Sequence, residues 1–173
     1  MSEASPAVGR VASLHVHGRN RGEPMRTLEA LTLVASKGIV EDTRYFERTN
    51  RFGGASRRQV SLIEREQIAE HAATLGLESL TTGRVLSNIE TEGVNLQELV
   101  GYEVSIGEAV LFLYEPRTPC SKMDKICQGL RNLMENARQG VMAEVVQPGT
   151  IRVGDAIRPL TQRTKQERGI SAV

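Results

Sequence analysis

The chain has 173 residues, with 22 basic side chains against 21 acidic ones and a net charge of +1. That balance leaves no global field to gather nucleic acid or an anionic membrane. Trp is absent and Tyr and Phe number three each, so platforms for base stacking or an aromatic cage are few.

Hydrophobic residues make up 39% of the chain and charged residues 25%, the balance of an ordinary soluble domain large enough for its own core. No apolar run approaches the roughly 20 residues that span a bilayer. The start, Met1-Ser2-Glu3-Ala4-Ser5-Pro6, has no basic-then-apolar leader. The expectation is a cytoplasmic protein with reduced cysteines and a single domain over residues 9–160, with loose ends at 1–8 and 161–173.

Strands dominate the reading in chain order. Residues 11–16 form a first strand. Residues 28–35 form a second, with Leu31 and Leu33 on one face, and 59–63 a third, with Val60 and Leu62 together. A helix is predicted over 64–75 from the spacing of Ile68, Ala72 and Leu75, with Gly76 as its stop. A strand over 85–89 follows. Tyr102, Val104 and Ile106 alternate, and 110–114 is a continuous apolar run, as in a strand covered on both sides.

A second helical segment spans 121–139, with Ser121 and Asp124 at capping-box spacing and Gly129 as a point of division. Val141, Ala143 and Val145 alternate, then Ile151, Val153 and Ile157 continue the strand pattern. Ile106-Gly107-Glu108-Ala109 and Val153-Gly154-Asp155-Ala156 repeat one pattern, read as two tight II′ turns with Gly at the first central position. Many short strands with two helical segments predict a mainly β fold, a closed or nearly closed barrel with peripheral helices.

Cys120 is the most informative residue. It lies in Glu115-Pro116-Arg117-Thr118-Pro119-Cys120-Ser121-Lys122, after an apolar strand and before a helix. Arg117, Lys122 and a helix N-terminus favour a thiolate, the form that binds metals and attacks sulfur. The alternative is a small buried hydrophobe. Cys127 lies about 10 Å further along such a helix, too far for a disulfide. His15, His17 and His71 show no zinc spacing with the cysteines. His15 and His17 share one side of a strand and read as boundary residues.

Asn88 interrupts an apolar strand, either facing solvent or offering its amide to a heterocycle. Arg57 and Arg58 end the polar stretch 50–56, which presents guanidinium groups to phosphate or serves only as a connection. Asp42 and Arg44 read as a surface ion pair.

The chain resembles the MOSC family, named after the C-terminal domain of molybdenum cofactor sulfurases, over roughly residues 9–160. Asn88-Ile89-Glu90-Thr91-Glu92-Gly93-Val94-Asn95-Leu96 carries the strongest part, followed by Leu99-Val100-Gly101, Ile106-Gly107-Glu108-Ala109-Val110-Leu111 and Arg117-Thr118-Pro119-Cys120. Gly140-Val141-Met142-Ala143-Glu144-Val145 and Gly149-Thr150-Ile151-Arg152-Val153-Gly154-Asp155 resemble the family's close. Residues 38–42 and 58–62 resemble its earlier landmarks.

The resemblance implies a MOSC-type β-barrel and a molybdenum pterin cofactor. Cys120 would ligate molybdenum or carry sulfur as a persulfide. Asn88, Arg58, Arg117, Lys122 and Thr91 would bind the cofactor, and N-oxygenated compounds would be the substrates to be reduced. Where related members carry a basic residue just before the Asn88 position, this chain has Ser87, with Arg84 displaced. No segment resembles the aminotransferase-like portion of the sulfurases. A persulfide would therefore come from a partner cysteine desulfurase, and electrons from a donor protein.

Overall fold

The computed structural model describes residues 6–80 and 83–164. Seven strands close into a barrel in the order β11 (Ala156–Gln162), β7 (Tyr102–Ile106), β8 (Ala109–Pro116), β9 (Val141–Gln147), β5 (Val60–Glu64), β6 (Ile89–Glu92) and β1 (Gly9–Val16), with β1 pairing back onto β11. A short strand β2 (Arg26–Leu28) adds to β1, and β10 (Gly149–Arg152), β3 (Ala30–Val34) and β4 (Gly38–Ile39) form a separate three-stranded sheet. The mainly β barrel expected from the alternating pattern is present.

Adjacent strands in the barrel run antiparallel, except β5 and β6. Those two are parallel, so the chain must cross from one end of the barrel to the other between them. Helix α1 (Arg65–Thr74) and the segment after it make that crossing. The helix ends as predicted, with the Gly76 and Leu77 N–H groups closing back on the Ala73 and Ala72 carbonyls.

Two apolar clusters follow from this arrangement. Val60, Leu62, Leu111, Leu113, Val104, Ile106, Val141, Ala143 and Ile157 are among the side chains filling the barrel. Ile63 points the other way and joins Ile68, Val85, Met123, Leu130 and Met134 beneath the helices. β5 is therefore covered on both faces. A bulge in β1 decides what faces inward there. Val11 pairs with Thr91 and Ser13 with Glu90, which leaves Ala12 as an extra residue. Val11 and Leu14, out of phase in sequence, both reach the barrel core as a result.

Several predicted elements change. The strand over 28–35 divides at Glu29, because β2 stays with the barrel while β3 belongs to the smaller sheet. The strand over 85–89 begins only at Ile89, and Val85 packs on the helical side. The segment 121–139 forms two five-residue helices, α2 (Lys122–Ile126) and α3 (Leu130–Met134), divided near Gly129. Ser121 makes no capping bond. Asp124 instead accepts from the Gly129 and Arg131 N–H groups (both 3.2 Å) and so begins the second helix.

The two echoing turns also differ. Gly107 has φ +56° between paired strands β7 and β8, the placing of a type II′ hairpin. At the other, the Asp155 N–H bonds the Arg152 carbonyl (3.1 Å), so Gly154 (φ +90°) is the third turn residue, as in type II, and the chain switches sheets.

The C-terminal segment is tied down further than its composition predicts. β11 continues to Gln162, and the Arg163 N–H bonds the Gly101 carbonyl. The Arg163 guanidinium lies 4.0 Å over the Phe112 ring and pairs with Glu103. At the other end the Val8 N–H bonds the Ile157 carbonyl. Residues 1–5 and 165–173, assigned as loose ends, lie outside the described residues.

Gly140 leads into β9 with φ +76°, and a Cβ there would collide with the Leu62 carbonyl oxygen. Gly140→Ala should therefore cost about 3 kcal/mol or more, read from urea unfolding. A loss under about 0.5 kcal/mol would show that this approach is relaxed without strain. His71 is fully buried and donates from Nε2 to the Arg138 carbonyl (2.8 Å). Desolvation holds its pKa below the ordinary value. The unfolded chain then takes up a proton first as pH falls through about 6.5, so this contribution is present above that pH and lost below it. His71→Leu should flatten the fall in Tm between neutral and mildly acidic pH. An unchanged slope would contradict the assignment.

Candidate functional site

Five segments of the chain bring residues to the site. β1 ends just before His17. The turn after β4 supplies Asp42, whose carbonyl accepts from the Tyr45 and Phe46 N–H groups. Arg58 to Ser61 lead into and start β5. Asn88 immediately precedes β6, and Arg117 immediately follows β8. His17, Asp42, Tyr45, Arg58, Ser61, Asn88 and Arg117 share one cavity of about 70 Å³.

Its polar framework is a single hydrogen-bonded lattice. Asn88 Oδ1 accepts from the Ser61 N–H (3.0 Å) and the Ser61 hydroxyl (3.1 Å). Asn88 Nδ2 donates to the His15 carbonyl and to Asp42 Oδ2, both at 3.1 Å. The amide's donors and acceptor are thus engaged inside the protein. The alternative of a solvent-facing asparagine is overturned, and what Asn88 positions is the Asp42 carboxylate.

Asp42 is 2% exposed and pairs with His17, not with Arg44 as the sequence suggested. Its Oδ2 also accepts from the His17 N–H (3.2 Å) and from His17 Nδ1 (2.8 Å). That bond fixes the proton on Nδ1 and leaves Nε2 as the other ring nitrogen. Asp42 Oδ1 is buried without a hydrogen-bond partner among the described residues. The His17 ring stacks at a tilt on Tyr45, with centroids 4.5 Å apart, and the Arg44 and Arg48 guanidinium groups lie 5.6 and 5.2 Å from the Tyr45 ring centre.

Arg117 and Arg58 bring positive charge to the same cavity. Arg117 donates to the Ser87 hydroxyl (2.9 Å), and its N–H bonds the Gly140 carbonyl. The departure at position 87 therefore has a structural use, because a serine there receives the guanidinium. Desolvation brings Arg117 down to about 10, with Cys120 opposing that shift and the neighbouring Arg58 cation adding to it. It remains a cation at neutral pH. Neither Arg58 nor Arg117 forms a carboxylate ion pair among the described residues.

The other predicted site residues fall in different places. Cys120 is exposed and does not line the cavity, but it stands near Arg117, whose charge it supports. The buried-hydrophobe alternative for Cys120 is overturned. Cys127 is half-buried and also free. Lys122 is an exposed first residue of α2 and is not part of the cavity lining. Thr91 is fully buried, and its hydroxyl donates to the Ile63 carbonyl (3.4 Å), so the structure keeps it away from the cavity. Arg84 reaches the Ile126 carbonyl instead.

His15 belongs to a separate buried network. Its Nε2 lies 2.8 Å from Ser13 Oγ and 3.3 Å from Glu90 Oε2, and Glu90 also accepts from the Gly83 N–H and from Arg65. Burial raises the Glu90 pKa, but the His15 and Gly83 hydrogen bonds and the nearby positive charge outweigh it and leave a net lowering.

The MOSC domain profile matches residues 49–158, well over half of the chain. The chain belongs to the MOSC domain family. The fold agrees. The YuaD protein of Bacillus subtilis superposes with a TM-score of 0.73 at 17% identity, covering 90% of this chain and 97% of that one. YiiM of Escherichia coli gives 0.65 at 17% identity, covering 94% and 77%. YiiM of Geobacillus stearothermophilus gives 0.62 at 16%, covering 90% and 74%. No curated protein sequence matches. The profile starts after β4, so this MOSC chain's His17 and Asp42 lie ahead of the matched region. No helix among the described residues is long and apolar enough to cross a membrane.

Asn88→Ala should remove four side-chain hydrogen bonds at once and cost about 3 kcal/mol in urea unfolding. Asn88→Asp should be at least as damaging at neutral pH, because it sets a second carboxylate against Asp42. Near-native stability in both variants would mean that the lattice does not hold this corner.

Proposed function

We propose that this MOSC protein handles the molybdenum pterin cofactor, with Cys120 as the residue that grips the metal or carries sulfur. The observation that carries the reading is the exposed Cys120 thiol beside the partly desolvated Arg117, which shares a cavity with Arg58. A soft thiolate suits molybdenum, and paired guanidinium groups suit an anionic phosphate. The donor set therefore fits the group. Cys120 would hold the metal, Arg117 and Arg58 would face the anionic part, and Lys122 would add a flexible cation at the helix start. When bound, the cofactor supplies two-electron redox chemistry, and reduction of an N-oxygenated compound is the reaction proposed for it.

The protein's own contribution is positioning and proton management. Asn88 and Ser61 fix the Asp42 carboxylate, and Asp42 fixes the His17 ring with Nδ1 protonated. His17 Nε2 is then the ring nitrogen left to exchange a proton with a bound group. Thr91 has no part in this reading, because its hydroxyl is already bonded inside the sheet.

The exposure of Cys120 also favours a second reading. A thiol open to solvent and outside the cavity lining is accessible to a partner cysteine desulfurase and can carry a persulfide without turnover. An electron-donor protein is required only by the first reading.

Protein made in a cofactor-competent host should contain nearly stoichiometric molybdenum by elemental analysis. Cys120→Ala should lower that content about tenfold or more, as removal of a metal's anchoring thiolate does. Equal metal content in the variant would sink the metal-binding reading. Incubation with a cysteine desulfurase and cysteine should add sulfur at Cys120 by mass spectrometry if the carrier reading holds, and an unmodified thiol would sink that one.

A further inference from the structure

Positive charge gathers in one segment of a nearly neutral chain. Residues 44–58 hold five arginines against one glutamate, although the chain as a whole nets only +1. That glutamate, Glu47, is taken up by Lys37 (3.1 Å). Arg57 turns to Glu144 and to the Tyr114 ring. Arg44, Arg48 and Arg51 have no carboxylate ion pair among the described residues. Arg44 and Arg48 lie over the Tyr45 ring instead, and Arg51 lies 4.8 Å over Phe52. A guanidinium stacked on a ring keeps its fork of donors free at the edge, already positioned for a carboxylate.

The tip of this segment is an ordered hairpin. Thr49 bridges Ala55, and the Ser56 N–H bonds the Arg48 carbonyl (2.9 Å). Asn50 Oδ1 accepts from the Phe52 and Gly54 N–H groups (2.9 and 3.1 Å). Phe52 stands at that tip 83% exposed, and the next most exposed large apolar side chain among the described residues is Leu160 at 46%. An organised turn that holds a bare aromatic ring among arginines has the make-up of an interface centre. A nucleic acid strand uses successive stacking platforms and finds one ring here. Insertion into a bilayer would carry the Arg51 guanidinium, packed on the ring, toward hydrocarbon. A protein surface with carboxylates around an apolar recess meets both features. Tyr45 and Arg58, near the two ends of the segment, both line the cavity, so a partner seated on the hairpin stands beside the site.

We propose that this hairpin is the docking surface for the electron-donor protein, a small acidic carrier whose carboxylates meet Arg44, Arg48 and Arg51 while an apolar recess takes Phe52. The proposal deepens the metal-binding reading and rests on it for what the partner delivers. The docking itself requires neither molybdenum nor an intact Cys120.

Flavodoxin and a plant-type [2Fe–2S] ferredoxin serve as probes, because both are small, strongly acidic carriers on unrelated folds. The metal-free full-length protein is titrated with each by calorimetry at low and at physiological salt. At least one carrier should bind with a Kd below about 100 μM at low salt, in the range of weak redox encounters, and should weaken as salt rises. Binding of neither carrier overturns the proposal. Cytochrome c, a basic carrier, should not bind, and equal affinity for it would overturn the charge argument.

Arg51→Glu should weaken carrier binding about tenfold or more and reduce its salt dependence. Phe52→Ser should weaken it to a similar degree with the salt dependence retained, because it removes the anchor and leaves the charges. Both positions are exposed at the hairpin tip, and a folded variant of either carries the test. Unchanged binding in a folded variant counts against the docking surface. Anionic phosphatidylserine vesicles are the last probe. Vesicle binding that depends on Phe52, with no binding of either carrier, would place a membrane on the hairpin and overturn the proposal. Cys120→Ala should bind the carriers as wild type does, and Arg51→Glu should keep wild-type molybdenum content. Failure of the metal-binding reading and failure of docking are therefore separately readable.

Discussion

One side-chain amide joins the parts of the site. Asn88 bonds Ser61 of β5, the backbone of His15 in β1, and Asp42 in the turn after β4. Four of the five segments forming the cavity meet there, and each contact lies in the protein interior, where an unmade hydrogen bond is expensive. A buried carboxylate is tolerable on the same terms. Asp42 is almost fully covered, and donors from His17 and Asn88 on one oxygen offset part of its lost hydration. Its other oxygen is buried without a hydrogen-bond partner among the described residues.

The barrel explains why this lattice can form. β5 and β6 are parallel neighbours, so Ser61 and Asn88 arrive side by side at the same end of the sheet. β1 lies against β6 on its other side, and its bulge turns Ser13 and His15 away from the core while Leu14 and Val16 fill it. The His15–Glu90–Arg65 network then covers that outer face. β9 pairs with β5 on its other side, with β8 beyond it, and Gly140 at the start of β9 approaches the Leu62 carbonyl too closely for any side chain and accepts the Arg117 N–H. Arg117 is thereby held at the cavity while Cys120, three residues on, remains at the surface.

Much of the fold was legible because hydrophobic alternation reports burial directly. Leu31 and Leu33, Val60 and Leu62, and Val104 and Ile106 face the core as their spacing required. The signal failed where a short range rule met a competing partner. Val85 is apolar and lies near a strand, but it packs under the helices. Ser121 has the residue type of a cap, but Asp124 bonds forward to the next helix instead. The family resemblance reached Cys120, Arg117, Arg58 and Asn88, and the structure gathers the last three around one cavity. It separates Thr91 and leaves Lys122 at the surface.

The sequence alone determined a β-rich barrel, its two helical segments and a cysteine flanked by cations, because periodicity, turn residues and local charge are properties of neighbours along the chain. It had no means of pairing His17 with Asp42, 25 residues apart, or Asn88 with Ser61, 27 apart. A buried hydrogen bond between distant segments leaves no periodic trace, and its polar residue types look the same as surface ones. Only the closed barrel, by fixing which strand ends adjoin, decided that Asn88 would hold a carboxylate instead of facing solvent.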